Sequence, residues 1–154
     1  MLLWTLVMPA TKKLSPPPSR PVTKPLVMRN WMTPSPHSIG RDQALAVAHR
    51  LMREHDLRHL PVLERGKIVG LLTQRDLYFL ETIAAVDPET ECVDEAMSPD
   101  VYTVTPSAKV ADVVSEMAKH KYGCAVVVES AKVVGVFTTT DAMRLLAMLL
   151  EQGS

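Results

Sequence analysis

Residues 32–76 recur at residues 97–141 with substitutions but without a gap. Met32-Thr33-Pro34 returns as Met97-Ser98-Pro99, and the run from Lys67 to Asp76 returns as the run from Lys132 to Asp141. The offset from Met32 to Met97 is 65, and it holds throughout: Met52 falls on Met117, His55 on His120 and Glu64 on Glu129. A repeat of this length is one supersecondary unit that cannot bury its apolar face alone and stacks on its copy. Two such units related by a pseudo-twofold axis create two equivalent clefts, and function is expected there.

A chain of 154 residues accommodates one tandem pair with a real core. Its 17 basic and 17 acidic residues balance overall but not along the chain. Residues 1–26 hold Lys12, Lys13, Arg20 and Lys24 and no acid, which leaves 13 basic against 17 acidic residues in the remainder. A nucleic-acid surface needs a clustered basic face, so nucleic acid is not an expected partner. Cys92 and Cys124 show neither metal-ligand spacing nor a disulfide framework, which fits a reducing, cytoplasmic location.

Residues 1–26 read as a Pro-rich N-terminal arm. Six of the 12 prolines fall in the first 25 residues, and such a stretch builds no core and tends to extend. The apolar run from Leu2 to Met8 is too short to span a membrane. It lacks a basic segment before it and an Ala-x-Ala site after it, so no signal peptide is expected. Two readings stay open: an extension upstream of a native start at Met28, or an arm whose Trp4 and Leu6 dock on the body or a partner.

Each copy carries the same elements. In the first, residues 27–86, the apolar positions Ala44, Leu45, Val47, Ala48, Leu51 and Met52 mark a helix over 43–54, with Asp42 as its cap. Strands are predicted over 60–63 and 68–72, joined by a turn at Glu64-Arg65-Gly66-Lys67, and a second helix over 74–85. In the second copy, residues 93–151, Ser107 caps a helix over 110–119, strands cover 124–128 and 133–137, and a helix covers 139–151. With a short strand near Ser38-Ile39 or Thr103-Val104, the order is β-α-β-β-α twice, an α+β fold. Residues 87–92 are a polar linker.

Met32-Thr33-Pro34, a helix, His59-Leu60-Pro61-Val62, then Gly66 and Gly70 to Asp76, resembles the cystathionine β-synthase (CBS) domain. Two in tandem resemble a Bateman module, and the resemblance covers roughly residues 27–150. The second copy departs from the pattern: Ala125-Val126-Val127 stands for Leu60-Pro61-Val62, and Ala131 for Gly66. The resemblance implies a regulatory sensor that binds AMP, ADP, ATP, S-adenosylmethionine or a related adenosine ligand in its clefts. It implies signalling to an enzyme or transporter, with no catalytic cofactor; no metal is expected from the residues themselves.

The residues are consistent with that chemistry. Thr73 and Asp76 sit where a strand meets a helix, and an aspartate there can accept ribose hydroxyls. The helix start offers unpaired N–H groups to phosphate, and Arg75 adds a guanidinium. Ser38, Ile39, His59 and Leu60 would form the adenine slot of the first cleft. The matching residues of the second are Thr103, Val104, Cys124, Ala125, Thr138, Thr140 and Asp141. A threonine three residues before an acid is also a helix cap that needs no ligand, and capping is expected in both copies. Because Arg75 becomes Thr140 and Arg41 becomes Pro106, the first cleft ranks ahead of the second unless Lys121 or Arg144 supplies charge there. Arg29, whose counterpart is Asp94, is a candidate phosphate contact borrowed across copies.

Other features carry bland readings beside sharper ones. Gly70 and Gly135, inside strands, suggest close packing against a helix or room for a ligand. His55 and His59 have metal-like spacing, but a helix end and a strand start should point them apart. Cys124 aligns with His59 and reads as a buried, inert thiol beside the second cleft. No nucleophile elbow, phosphate-binding loop or zinc motif supports an enzyme. The helix over 139–151 and residues Leu77 to Ile83 are apolar on more faces than a core needs, which points to a twofold homodimer. A purely structural dimerisation module with vestigial clefts is the alternative.

Overall fold

The computed structural model describes residues 22–82 and 86–153. In chain order its elements are α1 (Met28–Trp31), β1 (Thr33–Pro34), β2 (Ile39–Gly40), α2 (Leu45–His55), β3 (His59–Glu64), β4 (Lys67–Thr73) and α3 (Gln74–Thr82). Then come α4 (Val93–Ala96), β5 (Thr103–Val104), α5 (Val110–His120), β6 (Cys124–Glu129), β7 (Lys132–Thr138) and α6 (Thr139–Gln152). Both β-α-β-β-α units are present. Part of the expected helix over 74–85, residues 83–85, lies outside the described residues, as do Trp4 and Leu6 of the arm.

The two helix caps read from the sequence are displaced. The N-cap of α2 is Ala44, not Asp42, and that of α5 is Lys109, not Ser107; neither makes a side-chain cap bond. The chain outside each copy does the capping. Leu45 N–H bonds to Glu91 O and Ala46 N–H to Pro88 O, both 2.9 Å, so carbonyls of the linker satisfy the start of α2. Val110 N–H bonds to Leu26 O at 2.9 Å, which does the same for α5. A helix start needs partners for its first N–H groups, and backbone carbonyls serve as well as a serine or aspartate.

The segments that lead into the two copies are exchanged. β1, before the first copy's core, pairs antiparallel with β7 of the second, Thr33 opposite Val136. It completes a four-stranded sheet in the order β1-β7-β6-β5. Reciprocally, Ser98 and Leu71 exchange both backbone bonds at 2.9 Å beside the β2-β3-β4 sheet. The cores follow suit. Met28 is fully buried with Val113, Met117, Val127, Phe137 and Leu145 of the second copy, while its counterpart Val93 is fully buried with Leu45, Ala48, Leu60, Val62 and Leu72 of the first. Pro25, within the arm by sequence, accepts bonds from Asn30 Nδ2 at 2.9 Å and Trp31 Nε1 at 3.1 Å.

Gly70 and Gly135 make the exchange possible. A Cβ on Gly135 would lie 2.8 Å from Met32 Cγ and 3.1 Å from Thr33 O; one on Gly70 would lie 3.0 Å from Met97 Cγ and 3.1 Å from Ser98 O. The close neighbour is therefore the other copy's lead segment, not a helix. The β3–β4 turn uses Arg65 at φ 51° and Gly66 at φ 77°, whereas the β6–β7 turn uses Ser130 at 51° and Ala131 at 63°. Ala131 holds a left-handed conformation that costs an L-residue roughly 1–2 kcal/mol more than glycine.

Charge matches each lead segment to its sheet. In one half Arg41 bonds Asp94 at 2.6 Å and Glu64 at 3.4 Å. In the other Pro106 replaces Arg41, and Arg29, in the place of Asp94, bonds Glu129 directly at 3.0 Å. Docked on its own copy, Arg29 would meet Arg41 as well as Glu64, and Asp94 would face Glu129 with no cation between. Like charges so placed repel, so the pairing favours exchange over self-docking.

Candidate functional site

The end of β7 and the start of α6 form a closed cap. Thr138 N–H and hydroxyl both donate to Asp141 Oδ2 at 2.8 Å, and Asp141 N–H donates back to Thr138 Oγ1 at 3.3 Å. The start of α3 repeats it, with Thr73 donating to Asp76 Oδ2 at 2.8 and 2.7 Å and Asp76 N–H returning at 3.1 Å. Capping, expected in both copies, uses one carboxylate oxygen only. Asp141 Oδ1 meets Arg144 Nη1 at 3.3 Å, and among the described residues no hydrogen bond reaches Asp76 Oδ1. Each aspartate keeps an oxygen for a second acceptor role.

A cavity of about 280 Å³ opens at Asp141, and both copies line it. Thr138, Thr139, Thr140, Asp141 and Arg144 come from the second copy, Asp56, Leu57, Arg58 and His59 from the first, and Thr33 from the exchanged strand. Its volume lies at the lower edge of the range for small-molecule sites, about 300–1,000 Å³. A larger hollow of about 630 Å³ lies around Arg41, Glu64 and Asp94, but those charges already pair with one another.

The composite lining redistributes the residues expected of each cleft. His59 lines the cavity with Thr138, Thr140 and Asp141 of the other copy, and pairs with Thr73 of its own. It starts β3 at the junction of the copies, and a Cβ on Gly123 would meet its Nε2 at 2.9 Å. Burial, then the neighbouring Arg58 charge, lowers the His59 pKa against the opposing pull of Asp76, so the ring is neutral at pH 7. Ile39, Leu60 and Ala125 are core residues. Ser38 lies in a separate hollow with Ser35, Gly66 and Lys132, Thr103 is exposed, and Val104 packs on the second core. Cys124 is buried outside the cavity lining; burial and then the Asp141 charge push its thiol up to about 12, so it is unreactive.

The expected cations also move. Arg144 reaches the Asp141 cavity and Lys121 does not. Arg29 pairs with Glu129, and Arg41 pairs with Asp94 and Glu64 in the larger hollow; neither lines the Asp141 cavity. Arg58 and Asp56 carried no sequence signal, and Thr33 was marked only as part of the repeated Met-Thr-Pro, because the motif that marks a cleft lies in one copy and its opposite wall in the other. His55 stacks on His37 at 3.8 Å between ring centroids, and among the described residues no three His, Cys, Asp or Glu side chains converge on a metal position.

Comparison with known proteins gives a concordant picture. A family model described as the CBS domain matches residues 28–80 and 93–148. The solved structure of AcuB from Vibrio cholerae is 33% identical, with a TM-score of 0.75, over 83% of this chain and 95% of its own. The CBS domain pair of MJ0100, in complex with 5′-methylthioadenosine and S-adenosyl-L-methionine, is 23% identical with a TM-score of 0.70, over 80% of this chain and 98% of its own. CBSX2 in complex with AMP is 22% identical with a TM-score of 0.71, over 79% and 96%. At these last identities the likeness is one of fold alone.

Proposed function

Because the chain belongs to the CBS-domain family, through two tandem copies, we propose that it is a regulatory module holding an adenosine-containing ligand in the clefts between them. The observation that supports this reading is the composite cavity: a ligand that fills it beside Asp141 lies against residues 56–59 of the other copy and Thr33 of the exchanged strand. The affinity of such a ligand depends on how the two copies sit, which is the differential binding a sensor requires. Asp141 Oδ1 accepts a ribose hydroxyl while Oδ2 keeps the cap, and Arg144, released from Asp141, turns to the 5′ substituent. Asp76 acts likewise in the first cleft. Occupancy passes as a change in the angle between copies to an enzyme or transporter.

Adenosine, AMP, ATP and S-adenosylmethionine, each tested at about 100 times its Kd, should include at least one that stabilises the fold by roughly 2.7 kcal/mol, read as a rise in Tm. If none raises the Tm, the clefts are vestigial and the structural-module reading replaces this one.

Assembly is part of the same proposal. Tyr78 and Phe79 on α3 are 54% and 66% exposed, and Met143 and Leu150 on α6 are each 63% exposed. The repeat presents two such apolar helix faces, so a second copy of the chain can cover both at once around a twofold axis. Light scattering at micromolar concentration should give the mass of a dimer; a monomer would remove this element. Among the described residues no helix is long and apolar enough to cross a membrane.

A further inference from the structure

Each copy opens a groove between its two longer helices, and the two grooves correspond position by position. The first, of about 510 Å³ between α2 and α3, is lined by His49, Arg53, Asp56, Arg58, Tyr78 and Glu81 among others. The second, of about 340 Å³ between α5 and α6, carries Val114, Ala118, Lys121, Gly123 and Met143 at the first five of those positions. At the position of Glu81 stands Leu146, 45% exposed. The same groove is thus charged in one copy, where His49 Nε2 and Glu81 Oε1 meet across it at 2.7 Å. In the other it is apolar apart from Lys121, and the apolar surface continues along α6 through the exposed Leu150. The charged groove shares Asp56, Leu57 and Arg58 with the Asp141 cavity, and the apolar one shares Thr139 with it.

We propose that a second copy of the chain seats on these grooves like on like: α5 and α6 against the same two helices of the partner subunit, and α2 and α3 against theirs. The inference rests on the twofold assembly stated above and adds its orientation. Two arrangements satisfy a twofold axis, since each makes every contact reciprocal. In the opposite arrangement each apolar groove faces a charged one. Arg53 and the His49–Glu81 pair would then be dehydrated against Val114, Ala118 and Leu146 and gain no new partner, at both ends of the interface. Like on like, Met143, Leu146 and Leu150 bury against apolar groups. The charged groove holds both signs, Arg53 and Arg58 with Asp56 and Glu81, so two such grooves can pair their charges across the axis. The segregation of charge between the copies fixes an orientation that the repeated shape leaves open.

Crosslinking of the full chain with a short bis-maleimide tests this, in a Cys92→Ser background that leaves only the buried Cys124. Tyr78 and Met143 are repeat counterparts, 54% and 63% exposed. The span between reacting positions is therefore the same in either orientation, and neither substitution opens the core. Met143→Cys and Tyr78→Cys should each give a covalent dimer alone. Leu146→Lys should weaken self-association about 100-fold, because two ammonium groups then enter an apolar contact. In the opposite arrangement the new ammonium would lie beside Glu81 of the partner subunit and be tolerated. A dimer by light scattering that crosslinks only when the two cysteine variants are co-expressed, or that crosslinks in neither case, overturns the orientation and leaves the twofold assembly standing. Unchanged self-association of Leu146→Lys does the same. A monomeric parent chain overturns both.

Discussion

Asp141→Asn should lower adenosine affinity at its cleft 10- to 100-fold, since a hydrogen bond to a charged group is worth about 1.5–3 kcal/mol. Thr138 N–H and hydroxyl both need an acceptor, so the asparagine must turn its carbonyl oxygen into the cap. Its amide NH2 then replaces Oδ1, and the ribose loses an anionic acceptor. The fold should lose only about 1 kcal/mol, because asparagine still caps but carries no charge to the positive helix end. Calorimetry with adenosine and urea unfolding of the same variant separate the two roles. Unchanged affinity with a large loss of stability would reduce the Thr138–Asp141 pair to a cap.

Met28→Ala should cost about 2–5 kcal/mol, the range for truncating a buried large side chain. Met28 stands at the start of the described body but is 0% exposed, packed against Phe137, Met117 and Leu145 of the other copy. Removing it leaves a cavity and loosens the exchanged segment that carries Thr33 to the cleft, so ligand affinity should fall together with the urea midpoint. A loss below about 0.5 kcal/mol, the scale of an ordinary surface substitution, would show that the segment does not anchor there.

These two predictions differ in how visible their residues are in the chain. Thr138 and Asp141 are legible because a cap is local: a threonine, two residues and an acid meet within one turn wherever the rest of the protein lies. Met28 carries no such mark. Its partners lie near residue 110 and beyond, and nothing in the residues around it says which copy will bury it. Arg58 is similar, since its turn reads as an ordinary link between helix and strand. The caps of α2 and α5 fail for the same reason: Asp42 and Ser107 are good local candidates, but carbonyls of the linker at Pro88 and Glu91, and of Leu26, reach those helix starts first.

The sequence by itself determined the tandem repeat, the order of its elements, the two Thr-x-x-Asp caps and the apolar excess on α3 and α6. All of these are set by spacing within a few turns of chain. The tertiary structure decided the exchange of lead segments, and with it the composition of the clefts. Two units with the same fold can each keep or trade an edge strand at similar backbone cost. The choice falls to contacts far apart in sequence: Gly70 and Gly135 yielding space, Met28 and Val93 filling opposite cores, and Arg29 and Arg41 finding carboxylates on the right sheets. His59 therefore lines the Asp141 cavity while it also lies within reach of the Asp76 charge of its own copy, because the wall opposite Asp141 belongs to the other half of the molecule.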